Sequence, residues 1–388
     1  MRVVLYALAG FLFLAVTFHW LAANSEQYVN RVDPLPLQAV GEHAQALHRA
    51  SFVVDLHADS ALMGRDLLER SSVGHVDLPR LVEGGVGLQF FTIPTRVPLS
   101  LPFDIHRTAR DDPDMLRVLD WVQSGSLRGL GAFRRGMIQA ERVHRAARRS
   151  DGALVVIRTR RDLAALLDAR AKGENKVGAL LGLEGAHALE DRLENLTRFE
   201  SAGVRMIGLA HFFDNGFAGS AHGIEKGGLT ELGRELVTRM VDRGIMIDLA
   251  HASPKTIDEV IALVDVPTVV SHTGVKGTCD NPRNLSDRHV RAIAKGGGVI
   301  GVGYWEMAVC GTAPREIVAA MLHIYALVGD EYIALGSDYD GGTTVNFDTS
   351  QLPVLTQAML DADLSDESIA KILGGNIVRV MRQVLPEG

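Results

Sequence analysis

The 388-residue chain contains only two cysteines, Cys279 and Cys310, too few for a disulfide framework; a single bridge between them is left open. It also lacks a long basic run, and its formal net charge is −7. Phosphate binding needs clustered Lys and Arg, so nucleic acid is not an expected partner. The one basic stretch, residues 134–149, falls in a helical pattern and reads as a solvated face. No internal repeat or low-complexity segment stands out. What remains is ordinary globular material, 47% hydrophobic and 22% charged, long enough for one large domain or two medium ones. The 40 glycines suit a fold with many tight strand-to-helix turns.

The N-terminus is a separate object. Residues 3–23, VVLYALAGFLFLAVTFHWLAA, approach the ~20 apolar residues that cross a bilayer. Arg2 precedes the run, and Asn24, Ser25 and Glu26 come after it. Leu21-Ala22-Ala23 offers the small residues of a cleavage site, whereas the length of the run suits a retained anchor. Trp20 fits the interfacial belt. Both alternatives, a signal peptide or a membrane anchor over residues 1–24, place the body, residues 25–388, outside the cytoplasm: membrane-anchored, or free in a periplasmic or other extracytoplasmic space.

Short apolar runs then alternate with helical patterns. The runs cover 52–55, 87–93, 177–183, 206–210, 245–249, 268–271, 299–303 and 332–336. Patterns of period 3.6 cover 162–171, 189–201, 230–243, 254–264, 287–295 and 314–328. Such alternation indicates parallel βα units, and eight strands indicate an α/β fold closed as a (β/α)8 barrel of the TIM type, an open doubly wound sheet being the alternative. The run 154–157 exceeds the count and reads as an accessory hairpin or edge. Residues 98–150 form a long, partly helical insertion after the second strand.

The chemistry sits at the strand ends. VVDLHADS (53–60) places His57 and Asp59 two positions apart, hence on one side of an extended chain. GLEGAH gives Glu184, GLAHFFDN gives His211, MIDLAHAS gives His251, VVSHTG gives His272 and ALGSDYDGG gives Asp338 and Asp340. In a barrel these positions converge at the C-terminal mouth. One strand-end histidine is usually structural; a whole ordered series would each need its own buried partner, and a metal supplies one for most of them. His57, Asp59, His251 and His272 are four candidate ligands from three strands. Glu184 lies between them and has two oxygens with which to bridge a pair of ions. Ions sharing a water would bring its pKa towards neutrality, and imidazole and carboxylate without thiolate favour zinc over manganese, iron or cobalt.

These stretches, with VVSHTGVKGTCDNPRNLSD and the closing LGGNIVRVM, resemble in order the motifs of the membrane dipeptidase family, peptidase family M19 of the amidohydrolase superfamily; the match runs over about residues 40–382. The resemblance implies a binuclear zinc dipeptidase, two Zn2+ per chain, acting on small peptides. His57 and Asp59 would bind the first ion, Glu184 would bridge, and His251 and His272 would bind the second. His211 would face the substrate carbonyl oxygen, Arg283 would grip the terminal carboxylate, and Asp338 would be the acid/base. It further implies a homodimer. The neighbours Leu56, Ala58 and Gly185-Ala186, and the loop FFDNGFAGSAHG, depart from the family pattern; they leave every ligand in place and bear on substrate range.

Residue chemistry agrees. Hydroxide from a bridging water would attack the peptide carbonyl, His211 would help stabilise the oxyanion, and Asp338 would carry the proton to the leaving amine. The planar fork of Arg283 matches a carboxylate and would restrict substrates to very short peptides. Acceptance of a D-residue at the C-terminal position is left open by the sequence. The rivals are another metal-dependent amidohydrolase, such as an N-acyl amino acid deacylase or a lactonase, and a membrane-tethered binding protein without turnover. Asp340 reads as a loop or cap residue, His187 as a neighbour behind the ligands and His222 as a loop residue within reach of substrate. His43, His48, His75, His106, His144, His289 and His323 read as exposed, and Met240 and Met246 as core.

Overall fold

The computed structural model describes residues 26–33, 35–99, 107–117 and 130–388, with Tyr6 and Thr17 beside them. Eleven strands are described: β1 (Arg31–Val32), β2 (Val53–Ala58), β3 (Val86–Pro94), β4 (Leu154–Val156), β5 (Val177–Glu184), β6 (Val204–Gly208), β7 (Met246–Asp248), β8 (Val269–Thr273), β9 (Val299–Val302), β10 (Ile333–Leu335) and β11 (Thr344–Val345). Eight of them pair in parallel in the order β3-β2-β10-β9-β8-β7-β6-β5, and β3 returns to β5 to close the barrel. The open-sheet alternative is thereby excluded. The extra strand β4 pairs with Val177–Ala179 of β5, while β6 pairs with Leu181–Leu183; it is the edge strand expected from the surplus apolar run.

The strands are continuous apolar runs because both of their faces are covered. Val54, Leu88, Leu180, Met206, Met246, Val269, Val299 and Ala334, one from each barrel strand, lie in a single buried cluster with Ile377, Val380 and Met381 of the C-terminal helix Asn376–Val384. Above it lies a buried polar layer centred on Asp55. Asp55 accepts from Ser337 N (2.8 Å), Ser337 Oγ (2.7 Å) and Gln89 Nε2 (2.9 Å).

The outer helices begin where side-chain oxygens can take their orphan N–H groups. Thr159, Thr230, Ser253 and Ser286 cap helices Arg160–Ala171, Glu231–Asp242, Pro254–Leu263 and Asp287–Lys295. The expected helix over 189–201 is shorter than its periodicity: Glu190 and Asp191 take φ of 53° and 54°, and the helix starts at Glu194. Of the insertion, the helix Ala132–Arg149 is described. Its basic face is not wholly solvated, since Arg135 is buried and binds Asp114 and Thr95 O.

No helix among the described residues is long and apolar enough to cross a membrane. The expected export segment, apart from Tyr6 and Thr17, lies outside the described residues, as does His106. Immediately after that segment the chain is tied to the mouth of the barrel: β1 pairs with β11 in the loop after β10.

Candidate metal centre

The residues singled out at the strand ends arrive at one place, Asp340 excepted, which is bound by Ser60, Arg65 and His75. His57 is the penultimate residue of β2, Glu184 is the last residue of β5, His272 lies in β8, and Asp59, His211, His251 and Asp338 stand just beyond β2, β6, β7 and β10. Four imidazoles surround a single carboxylate oxygen. Glu184 Oε1 lies 3.4 Å from His57 Nε2, 3.4 Å from His211 Nε2, 3.2 Å from His251 Nε2 and 3.5 Å from His272 Nε2. His57 Nε2 is also 3.5 Å from Asp59 Oδ1 and 3.7 Å from Asp338 Oδ1. Three overlapping triads have ligand spacing: His57-Asp59-Glu184, His57-His272-Asp338 and Glu184-His211-His251. Glu184 belongs to two of them, as a bridging carboxylate would.

The donor set fits a cation and is poorly served without one. His57 Nε2, Glu184 Oε2 and His211 Nδ1 are buried with no hydrogen-bond partner. His251 Nε2 and His272 Nε2 face each other at 2.9 Å. Burial pushes the Glu184 carboxyl well up, and Asp59 pushes it further. Burial would lower His57, but Glu184, Asp59 and Asp338 outweigh it and hold that imidazole at about 10. Positive charge is what these carboxylates call for. Burial drives His211, His251 and His272 well below the ordinary imidazole range, and the nearby Arg283 adds to it, so all three are neutral and able to present a lone pair. His251 and Asp338 hold left-handed backbone, φ 61° and 60°, strain of a kind that collects at working sites.

Arg283 is buried, 5% exposed, and lies in the loop after β8. It donates to Thr273 Oγ1 (3.1 Å) and His272 O (2.6 Å), and its Nε has no partner. It is not the surface ion pair such a residue usually forms. Together with His251 it lines a cavity of about 440 Å³. The loop that carries it is braced by a disulfide between Cys279 and Cys310 and by Asn284, which donates to Cys279 O and Ala308 O.

Sequence reasoning left several supporting residues out. Thr92 donates to Asp59 Oδ1 at 2.7 Å. His222, read from the sequence as a loop residue within reach of substrate, is buried in that loop with its Nε2 2.9 Å from His251 Nδ1. Ser271 and Asp248 back His57 and His272. Ser271 adjoins the candidate ligand His272 and Asp248 stands shortly before the candidate ligand His251, the only signal the sequence offered for either; Thr92 had none. Three histidines expected at the surface are buried, His48 and His75 with partners from distant segments and His289 with a neighbour in its own helix cap. His48 spans Thr356 and Gly84 O, His75 spans Arg31 O and the amide of Asp340, and His289 meets Ser286.

Residues 41–386 match the membrane dipeptidase family, peptidase family M19. The chain belongs to this family. It is a metal-dependent hydrolase. Dipeptidase 3 of Rattus norvegicus is 28% identical over 367 residues, which cover 88% of this chain and 67% of the relative. Dipeptidase verJ of Clonostachys rogersoniana is 28% identical over 319 residues, 80% of this chain and 76% of its own. Among solved structures, the probable dipeptidase PvdM of Pseudomonas aeruginosa aligns with a TM-score of 0.74 at 22% identity, over 89% of this chain and 98% of that one. A metallopeptidase from Rhodobacter sphaeroides, solved with a phosphinate mimic of the dipeptide L-Ala-D-Ala, aligns with a TM-score of 0.71 at 24% identity, over 86% and 99%. Likeness at this level of identity establishes the barrel.

Proposed function

We propose that the protein is a binuclear zinc dipeptidase. The observation that carries the reading is the ring of four Nε2 atoms within 3.2–3.5 Å of one Glu184 oxygen. His57 and Asp59 would hold one ion, His251 and His272 the other, and Glu184 would bridge them. Two such cations would supply Lewis-acid polarisation of a scissile carbonyl and acidification of water.

The rest falls to the chain. Arg283 is a buried guanidinium with an unpartnered Nε, in a cavity that reaches His251. A substrate carboxylate is the ligand its planar fork fits, and a clamp on the terminal carboxylate admits only very short peptides. Neutral His211, its ring 4.6 Å from that of His251, would hydrogen-bond the carbonyl oxygen as charge develops there. Burial lifts Asp338 to about 7, partly opposed by His57 and reinforced by Asp59. A carboxyl poised there can take a proton from water and return it to the leaving amine. Peptides with D-residues at the C-terminal position fall within this reading, since the Rhodobacter sphaeroides relative holds a mimic of one.

The test is metal content by mass spectrometry together with amino-acid release from a panel of L,L- and L,D-dipeptides and N-acyl amino acids. Two zinc ions per chain and cleavage of free dipeptides are expected. Turnover of acyl amino acids alone would replace the reading with a deacylase, and two metals without turnover would leave a binding protein. We further read residues 1–24 as a signal peptide or membrane anchor. N-terminal sequencing of protein from the membrane fraction separates the two, and protein found wholly in the cytoplasm would refute both.

A further inference from the structure

One hydroxyl touches ligands assigned to both ions. Ser271 Oγ lies 3.2 Å from His57 Nδ1 and 2.9 Å from His272 Nδ1, and it donates to Asp248 Oδ2 at 2.7 Å. The two rings are brought to 3.7 Å between centroids. Ser271 is fully buried and Asp248 almost so, so bulk water does not stand in for either. Asp248 is itself fixed, because its Oδ1 accepts from Ala250 N (2.9 Å) and Ser271 N (2.8 Å).

A serine hydroxyl has one proton and two lone pairs. The proton is committed to Asp248, which leaves two acceptor sites for two Nδ1 atoms. Both imidazoles must then carry their proton on Nδ1 and their lone pair on Nε2, the atom that faces Glu184 in each ring. We propose that Ser271, held by Asp248, is a shared positioning residue that sets the ligating tautomer of His57 and of His272 at once, so that a single hydroxyl governs the affinity of both ions. This rests on the binuclear reading above. Partners of this kind typically change metal affinity by about 10–100-fold.

The two members of the pair have different signatures. Ser271→Ala frees both Nδ1 atoms, so both ions weaken. In Asp248→Asn the Oδ1 position still receives two amide N–H groups and stays a carbonyl oxygen. The new NH2 therefore faces Ser271 and donates to it. The serine proton must turn to one histidine, whose proton is displaced to Nε2. One site is lost and the other kept.

The experiment is a competition titration of the full chain with zinc against a chromophoric chelator, read together with the thermal melting of the metal-free proteins. Wild type is expected to bind two ions. Ser271→Ala should weaken both by about 10–100-fold, and Asp248→Asn should weaken one of them, with metal-free melting close to wild type in each. Wild-type affinities in Ser271→Ala would overturn the proposal, as would equal weakening of both sites in Asp248→Asn or affinity losses that merely track a loss of metal-free stability. A wild type that binds one ion only would defeat the binuclear reading itself, and the coupling with it.

Discussion

Asp338 and Asp340 stand two residues apart in the loop after β10. Both take left-handed backbone, φ 60° and 62°, and both are buried, 8% and 1% exposed. Their surroundings are opposite. Asp340 accepts from Ser60 Oγ, Arg65 Nη2 and His75 N, each at 2.6 Å, and Arg65 is shared with Glu26 of the N-terminal segment. Burial works against its charge, but Arg65 and His75 outweigh burial and hold Asp340 below the ordinary carboxylate value. The one ion-pair partner of Asp338 among the described residues is His57 Nε2, 3.7 Å away. Strain and burial alike fail to tell the two apart; completeness of partnering does. Buried polar groups are normally satisfied, so the Asp340 network reads as a clasp and the Glu184 cluster as a site that expects a ligand.

Substituting each aspartate is the strongest way to break that contrast. Asp338→Asn is expected to lower kcat for dipeptides by about 10²–10⁴-fold, the usual worth of a positioned acid/base, while keeping its metal and its melting temperature. A variant with nearly the wild-type rate would mean the proton takes another route. Asp340→Asn should do the reverse. It leaves Arg65 with Glu26 alone, and breaking a buried pair costs on the order of 3 kcal/mol. Urea unfolding should record that loss, and kcat should change far less than in Asp338→Asn. If the two variants had the same profile, the division of this loop into clasp and site would be wrong.

Two buried arginines repeat the contrast on the cationic side. Arg65 has two carboxylates. Arg283 has a hydroxyl and a carbonyl, and burial lowers it to about 10 against the pull of Asp338, Asp248 and Glu184. Arg283→Lys removes the planar fork, and a hydrogen bond to a charged group is worth about 1.5–3 kcal/mol. Expected is a fall of about 10–100-fold in kcat/KM for dipeptides, carried by KM, with little change for a dipeptide amide that has no carboxylate to hold. Equal losses on both substrates would show that the guanidinium shapes the loop and does not read the substrate.

Where the partners of a residue lie decided how much of this could be read from the sequence. The barrel was legible because parallel strands covered on both faces become short apolar runs, and all eight runs are barrel strands. The cluster was legible because each of its members sits at the end of such a run. The buried histidines were not. His48 is held by Thr356, 308 positions away, and His75 by Asp340, 265 positions away, so no local pattern records their burial. Helix 189–201 was overextended because its apolar spacing continues through Glu190 and Asp191, whose left-handed backbone breaks the turn. Ser271 and Asp248 lie inside the strand-end motifs, yet it is the closed barrel that sets one hydroxyl against two rings.

His187 puts the contrast to its finest test, because it belongs to neither class. Both of its ring nitrogens are buried without partners, but it stands behind His211, 6.4 Å between centroids, and is in none of the metal triads. Burial, helped by Arg96 and Arg135, lowers it to about 3. The unfolded chain takes up a proton near the ordinary value of about 6.5. Above that pH the ring is neutral in both states and adds no pH dependence to stability. As pH falls below it, only the unfolded state is protonated, so the folded state loses about 1.4 kcal/mol per pH unit until the pH nears the folded value. His187→Gln removes this one proton from the linkage while other buried histidines keep theirs. Plots of unfolding free energy against pH between 6 and 4 should therefore be shallower in the variant by about 1.4 kcal/mol per unit. Parallel plots would mean that the imidazole finds a partner in solution, and that an unpartnered nitrogen in this part of the barrel does not by itself mark a site.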